Sequence, residues 1–213
     1  MAVIHQATLR PTKLELLAAW LPERPWYTGR TGDVHQVAAY RFDDPVGAVG
    51  IETILVRADH GPVYQVPLTY RAGPMEGGDA WLIGTMEHSV LGKRWVYDAA
   101  GDPVYAAALA GAILANTGQA EQLVLVEGRL EPRELSMSVA STAPEGALAG
   151  NVPGVNRVER VEKGDPTRIV TDTVTLSVAR RLSRDAELSG TVLTGTWPGR
   201  PESTPLASAE RRD

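Results

Sequence analysis

The sequence predicts an α+β fold, with a helix or two packed on a curved antiparallel sheet and a small β-rich subdomain after it. Three observations carry this expectation. Runs rich in β-branched and aromatic residues fill 36–71 with short turn signals between them, two helical patterns flank the strand cluster, and a Gly/Pro/Ala-rich stretch at 141–156 precedes a second group of strands. At 213 residues the chain can bury a core without a metal or a disulfide, and it contains no cysteine.

The elements follow in order. In "RPTKLELLAAWLPERP", Thr12 and Glu15 have the spacing of a capping box, Leu14, Leu17, Ala18 and Leu21 form an apolar stripe, and Pro22 ends the helix. "QVAAYRFD", "AVGIETILVRAD" and "VYQVPLTYR" read as strands, and the links "DPVG" and "DHGP" are short enough to make them antiparallel neighbours. The alternation in the second strand suits a sheet with one well-covered face. "WLIGTMEHSV" and "RWVYDA" add two strands. In "DPVYAAALAGAILANTG" a second helix has Asp102 as N-cap, Pro103 at its first position and Gly118 as its stop. "EQLVLVEGRL" closes the first region, giving a domain over 1–131.

Past the 141–156 stretch, read as a surface loop, two strands around "KGDPTR" and a third in "GTVLTGTW" make a small β-rich subdomain over 132–199. Residues 200–213, with no apolar periodicity, are expected to be a disordered tail.

Charge excludes some partners. The net charge is −5, with nine basic and eleven acidic residues in 1–100 and twelve and fifteen in 101–213, so no basic half exists to hold nucleic acid or an anionic membrane. The N-terminus lacks a basic and apolar leader pattern and no apolar run reaches spanning length, so the expected location is the cytoplasm.

The opening "IHQATLRPTKLELLAAWLPERPWYTGR" resembles the start of the N-terminal cap domain of actinobacterial maltokinases and their glucosamine-kinase relatives. "VYQVPLTYR" and "RWVYDAAGDPVYAAAL" continue the likeness in the expected order over about 4–115. The resemblance implies that the second region is similar to a kinase N-lobe, and that the aspartate and metal ligands of phosphoryl transfer belong to a helical lobe beyond it. The 213 residues stop short of such a lobe. On "VTLSVARRL", Ser177 falls where the family has its nucleotide lysine, followed by Arg180 and Arg181, so the resemblance implies a stripped N-lobe.

Candidate contact residues are Trp20, Trp26, Tyr27 and Arg30 in "WLPERPWYTGR", together with Arg180 and Arg181. The aromatics beside arginine would suit a sugar ring or a protein partner, but they also suit a clasp holding the first helix to the sheet, the role favoured by the burial habit of large aromatics. Adjacent arginines on an extended segment point apart, leaving one solvated. No metal site is expected, since His5, His35, His60 and His88 show no ligand spacing. Glu87 and His88 point to opposite faces of a strand, and Ser89, Ser136 and Ser177 lack a nucleophile-elbow pattern. Gly146, Gly150 and Gly154 match no phosphate loop, and Asp98 and Asp102 are read as caps of the second helix. No cofactor and no catalytic residue is implied.

Three functional expectations follow. The first is a non-catalytic cap-like protein that regulates or scaffolds a partner, such as a sugar kinase or another enzyme of trehalose, maltose or glycogen metabolism, or a second copy of itself. The second is a carbohydrate or sugar-phosphate binding module using Trp26, Tyr27 and Arg30. The third, residual ATP-dependent sugar kinase activity, lacks identifiable catalytic carboxylates.

Overall fold

The computed structural model describes residues 2–4, 7–29, 32–126, 129–144, 152–183 and 186–212. His5 and residues 145–151 of the 141–156 stretch, Gly146 and Gly150 included, lie outside them.

The first sheet contains β2 (Leu9–Arg10), β3 (Val34–Phe42), β4 (Gly50–Ala58), β5 (Val63–Arg71), β6 (Leu82–His88) and β7 (Gly92–Asp98), in the order β2-β6-β7-β5-β4-β3 and antiparallel throughout. Helix α1 (Lys13–Trp20) lies on one face, ended by a 3-10 turn at Leu21–Glu23. Its capping box is complete: the Glu15 amide donates to Thr12 Oγ1 at 3.2 Å and the Thr12 amide donates to Glu15 Oε2 at 2.7 Å.

This sheet is buried on both faces, not one. Along β4, Ile54 and Val56 join Leu17 of α1 and Leu21 of the turn after it, while Ile51 and Leu55 point the other way into a second core. A strand covered on both sides becomes apolar at every position, which is why its alternation fades toward Val56.

Helix α2 (Pro103–Leu114) fills that second core, starting from the Asp102 cap and ending before Gly118. Tyr105, Ala106, Leu109, Ala110, Ala112 and Ile113 are all buried, as expected of a helix that is apolar around most of its circumference. Beyond it lies the second sheet, made of β10 (Ser138–Ser141), β11 (Val158–Glu162), β12 (Thr167–Thr171), β13 (Val174–Val178), β14 (Thr191–Trp197) and β15 (Arg200–Arg211), in the order β10-β14-β15-β13-β12-β11. One continuous core joins Tyr40 and Phe42 of β3, α2, and Leu176, Leu193 and Leu206 of the second sheet.

Three expectations are corrected here. Among the described residues strands form 47% and helix 15%, so the architecture is mostly β with a curled antiparallel sheet, and not clearly α+β. The second sheet has six strands where three were expected. The segment expected to be a disordered tail forms β15, which sits inside that sheet and pairs with both β13 and β14. Its prolines and alanines hide the strand from propensity, but Pro205 sits at a register shift and the small Ala207 and Ala209 fit the shared core.

A third, small sheet has the order β1-β8-β9, with β1 (Ala2–Ile4) parallel to β8 (Gln122–Val126) and β9 (Arg129–Pro132) antiparallel to it. The sequence "EQLVLVEGRL" therefore opens a hairpin where a single strand was expected. Among the described residues no helix is long and apolar enough to cross a membrane.

Candidate functional site

The two large sheets are stitched together where the chain leaves β13. The Gln65 amide donates to the Arg180 carbonyl at 2.8 Å, and the Leu182 amide donates to the Val63 carbonyl at 2.8 Å. The buried Gln65 side chain reaches across as well, its Nε2 donating to the carbonyls of Ala179 and Leu206 at 2.9 Å each while its Oε1 accepts from the Tyr40 hydroxyl at 3.1 Å.

Arg180 sits at this seam with 1% exposure. Its Nη2 makes a two-oxygen contact with Asp98 at 2.9 and 3.0 Å, its Nε donates to Thr167 Oγ1 at 2.8 Å, and its guanidinium lies 5.1 Å from the Trp26 ring centre. Its Nη1 has no hydrogen-bond partner among the described residues. A buried guanidinium holds its place only when a carboxylate offsets its desolvation, and Asp98 does so from the end of β7 while capping the 3-10 turn before α2.

Two further aromatic–cation pairs surround it. Arg24 stands 4.6 Å from the Trp20 ring and Lys163 4.5 Å from the Trp81 ring, and Trp20 meets Trp26 edge-on at 5.9 Å. Trp81 lies so close to Gly101 that a Cβ there would meet its ring at 2.3 Å, so only glycine fits beneath it. The space these groups enclose is about 20 Å³. That holds roughly one water molecule, whereas small-molecule pockets run to about 300 Å³ or more.

The structure thus brings Trp20, Trp26 and Arg180 together and separates the other candidates. Tyr27 packs on Tyr64 at 4.7 Å, and Tyr64 accepts from the Thr28 amide at 3.1 Å. Burial, followed by the charges of Tyr64 and Asp59, raises the Tyr27 hydroxyl above its ordinary value. Arg181 is exposed, beside an open hollow of about 350 Å³ that Asp165, Ser183 and Glu187 help to line. Ser177 is half-buried in the middle of β13, opposite Arg168 and Ser208. Arg30 lies outside the described residues. Among the described residues no three His, Asp or Glu side chains are grouped to hold a metal ion.

Sequence reasoning missed Trp81, Lys163, Arg24 and the Asp98–Arg180 pair. Asp98 and Arg180 are 82 residues apart, so no local spacing announces them. Asp102 does cap α2, donated to by the Val104 amide at 3.0 Å, and it also takes both ends of the Arg71 guanidinium at 2.9 and 2.8 Å. The hydrogen bond to Asp102 raises Arg71 above its already high value. Next to this pair opens a cleft of about 560 Å³, walled by Glu76 and Trp81 on one side and by Arg157, Glu159 and Arg160 on the other.

Comparison with known families agrees with the resemblance read from the sequence. Residues 20–102 match the maltokinase N-terminal cap domain, a stretch running from the end of α1 through the first sheet to the cap of α2. No curated protein matches the chain.

Proposed function

We propose that this chain is a non-catalytic protein of maltokinase-related context, acting by contact to regulate or scaffold a partner such as a sugar kinase or another enzyme of trehalose, maltose or glycogen metabolism. One observation carries the reading. Arg180, the buried cation beside Trp26 and Trp20, is committed to Asp98 and Thr167, so it joins the cap-like sheet to the second sheet and is not presented to a ligand. The cap-like region is thereby packed into a larger body that shares one core.

The test is to recover the tagged chain from its native cells and identify what accompanies it. A sugar-active enzyme whose rate changes when the purified chain is added supports the reading. Sugar phosphorylation by the homogeneous chain itself, abolished by a point change within it, overturns it.

The open cleft favours a second reading, a carbohydrate or sugar-phosphate binding module, because its volume and the Trp81 ring in its wall suit a sugar. A thermal-shift panel of maltose, trehalose, glucosamine and sugar phosphates tests it, since a ligand of the folded state raises the melting temperature. Trp81→Ala should erase the shift, and a flat response across the panel removes this reading.

A further inference from the structure

Strand β9 ends the small sheet, nothing among the described residues pairs with its outer side, and all four of its residues are exposed. The direction of its free backbone groups can be derived. The Arg133 amide donates to the Gln122 carbonyl at 2.8 Å, so the hydrogen-bonded pairs of the hairpin are 122 with 133, 124 with 131 and 126 with 129. Leu125 with Leu130 is then a non-bonded pair. Its side chains are close neighbours on one face, and the Leu130 N–H and C=O point outward. These two leucines are 55% and 49% exposed, which is costly for large apolar groups left to water.

We propose that β9 is a self-association edge, on which a second copy of this chain adds its own β9 antiparallel about a two-fold axis through Leu130. Two independent features select that register. Backbone phase requires an outward-facing residue at the centre, and Leu130 against its counterpart forms two N–H to O=C bonds. Charge requires complementarity, and the same register sets Arg129 against the second copy's Glu131 and Glu131 against its Arg129. Centring on Glu131 instead faces Arg129 with Arg133 and Glu131 with itself, and centring on Arg129 faces that arginine with itself. Like charges then meet and the inward-facing backbone is already occupied by β8.

The chosen register also extends the apolar face into a row of four leucines, Leu125 and Leu130 from each copy. Pro132 offers no outward N–H, which confines the pairing to the middle of the strand and makes the contact a reversible one. This contact does not depend on the enzyme partner proposed above. A chain that stays monomeric yet still alters an enzyme's rate disposes of the edge and leaves that reading intact.

Sedimentation equilibrium over a concentration series decides the matter. The mass should climb from 22.8 kDa toward twice that value. Leu130→Pro removes the outward N–H and one leucine of the apolar row but no hydrogen bond to β8, so the hairpin should survive, as a near-unchanged melting temperature should show, while association weakens at least tenfold. Arg129→Glu and Glu131→Arg should each be monomeric alone, and their equimolar mixture should recover the doubled mass, because only the mixed pair is complementary. The proposal falls if the natural chain keeps a mass of 22.8 kDa throughout, if its doubling persists in these variants, or if the mixture stays monomeric. Should one variant fail to fold, the others still decide.

Discussion

The two six-stranded sheets differ in how far their own sequence pattern specifies them. The first is built from Ile51, Ile54, Leu55, Val56, Tyr64 and Val66, large residues that fill both of its faces, and it pins α1 through a charged knot at Glu52. The second combines large Ile169, Leu176, Leu193, Trp197 and Leu206 with the small Ala207 and Ala209, and its longest strand carries prolines. The first sheet is specified by its own sequence pattern, while the second depends on what lies against it. The buried charges follow the same division. Glu52 is held within the first sheet and its helix by Lys13 at 2.5 Å, Arg41 at 2.7 Å and the Tyr70 hydroxyl at 2.6 Å, whereas Arg180 and Asp98 bridge from one sheet to the other.

The strongest way to break the contrast is to cut that bridge. Arg180→Ala leaves the Asp98 carboxylate buried without its cation, and the expected loss is about 3–5 kcal/mol in urea denaturation. Because α2 and the shared core join the sheets, the melt should remain a single transition with a lower midpoint. Two transitions would mean that the second sheet stands apart. Replacing both partners, with Arg180→Met and Asp98→Leu, should recover part of the loss, since apolar groups carry no uncompensated charge while the Ala100 amide loses its Asp98 cap.

The Glu52 knot sharpens the comparison through pH. Burial alone would raise its carboxyl, but the charges of Lys13 and Arg41, with hydrogen bonds from Lys13 and Tyr70, outweigh burial and hold it at about 2, against an ordinary 4.5. Burial and the neighbouring Glu52 charge in turn raise the Tyr70 hydroxyl. With its folded value depressed, Glu52 contributes stability that is complete above about pH 4.5 and is lost as the pH falls toward 2, on the order of 3 kcal/mol in total. Urea titrations across this range should show that loss in the natural chain, and Glu52→Gln should remove that part of the acid slope.

How far the sequence could be read tracks the same difference. Strand β5 occupies the residues "VYQVPLTYR", and the Thr12–Glu15 box and the Asp102–Pro103 start of α2 stand where local signals put them, because caps and alternating runs act over a few residues. β15 was illegible for the converse reason. Pro201, Pro205 and its alanines argue against a strand locally, and only pairing with β13 and β14 on either side makes it one. The site divides likewise. Trp20 and Trp26 are six residues apart and readable as a cluster, but Trp81, Lys163 and Asp98 join them only through the folded topology.

The smallest expected effect tests whether α1 belongs to the first sheet alone. Thr12→Ala removes the acceptor for the Glu15 amide, and the loss of such a cap costs about 1 kcal/mol. Glu15 also loses the Thr12 hydroxyl that donates to it at 2.9 Å, although the Thr12 backbone amide can still serve it. Lys13 remains tied to Glu52, so the helix keeps its seat and only its first turn loosens. Amide exchange at Leu16–Trp20 should then quicken roughly fivefold, the factor that about 1 kcal/mol implies, while the amides of β13 and β15 keep their rates. Equal quickening in β13 and β15 would show that the helix and the second sheet open as one unit, and the distinction between a self-specified sheet and a dependent one would no longer stand.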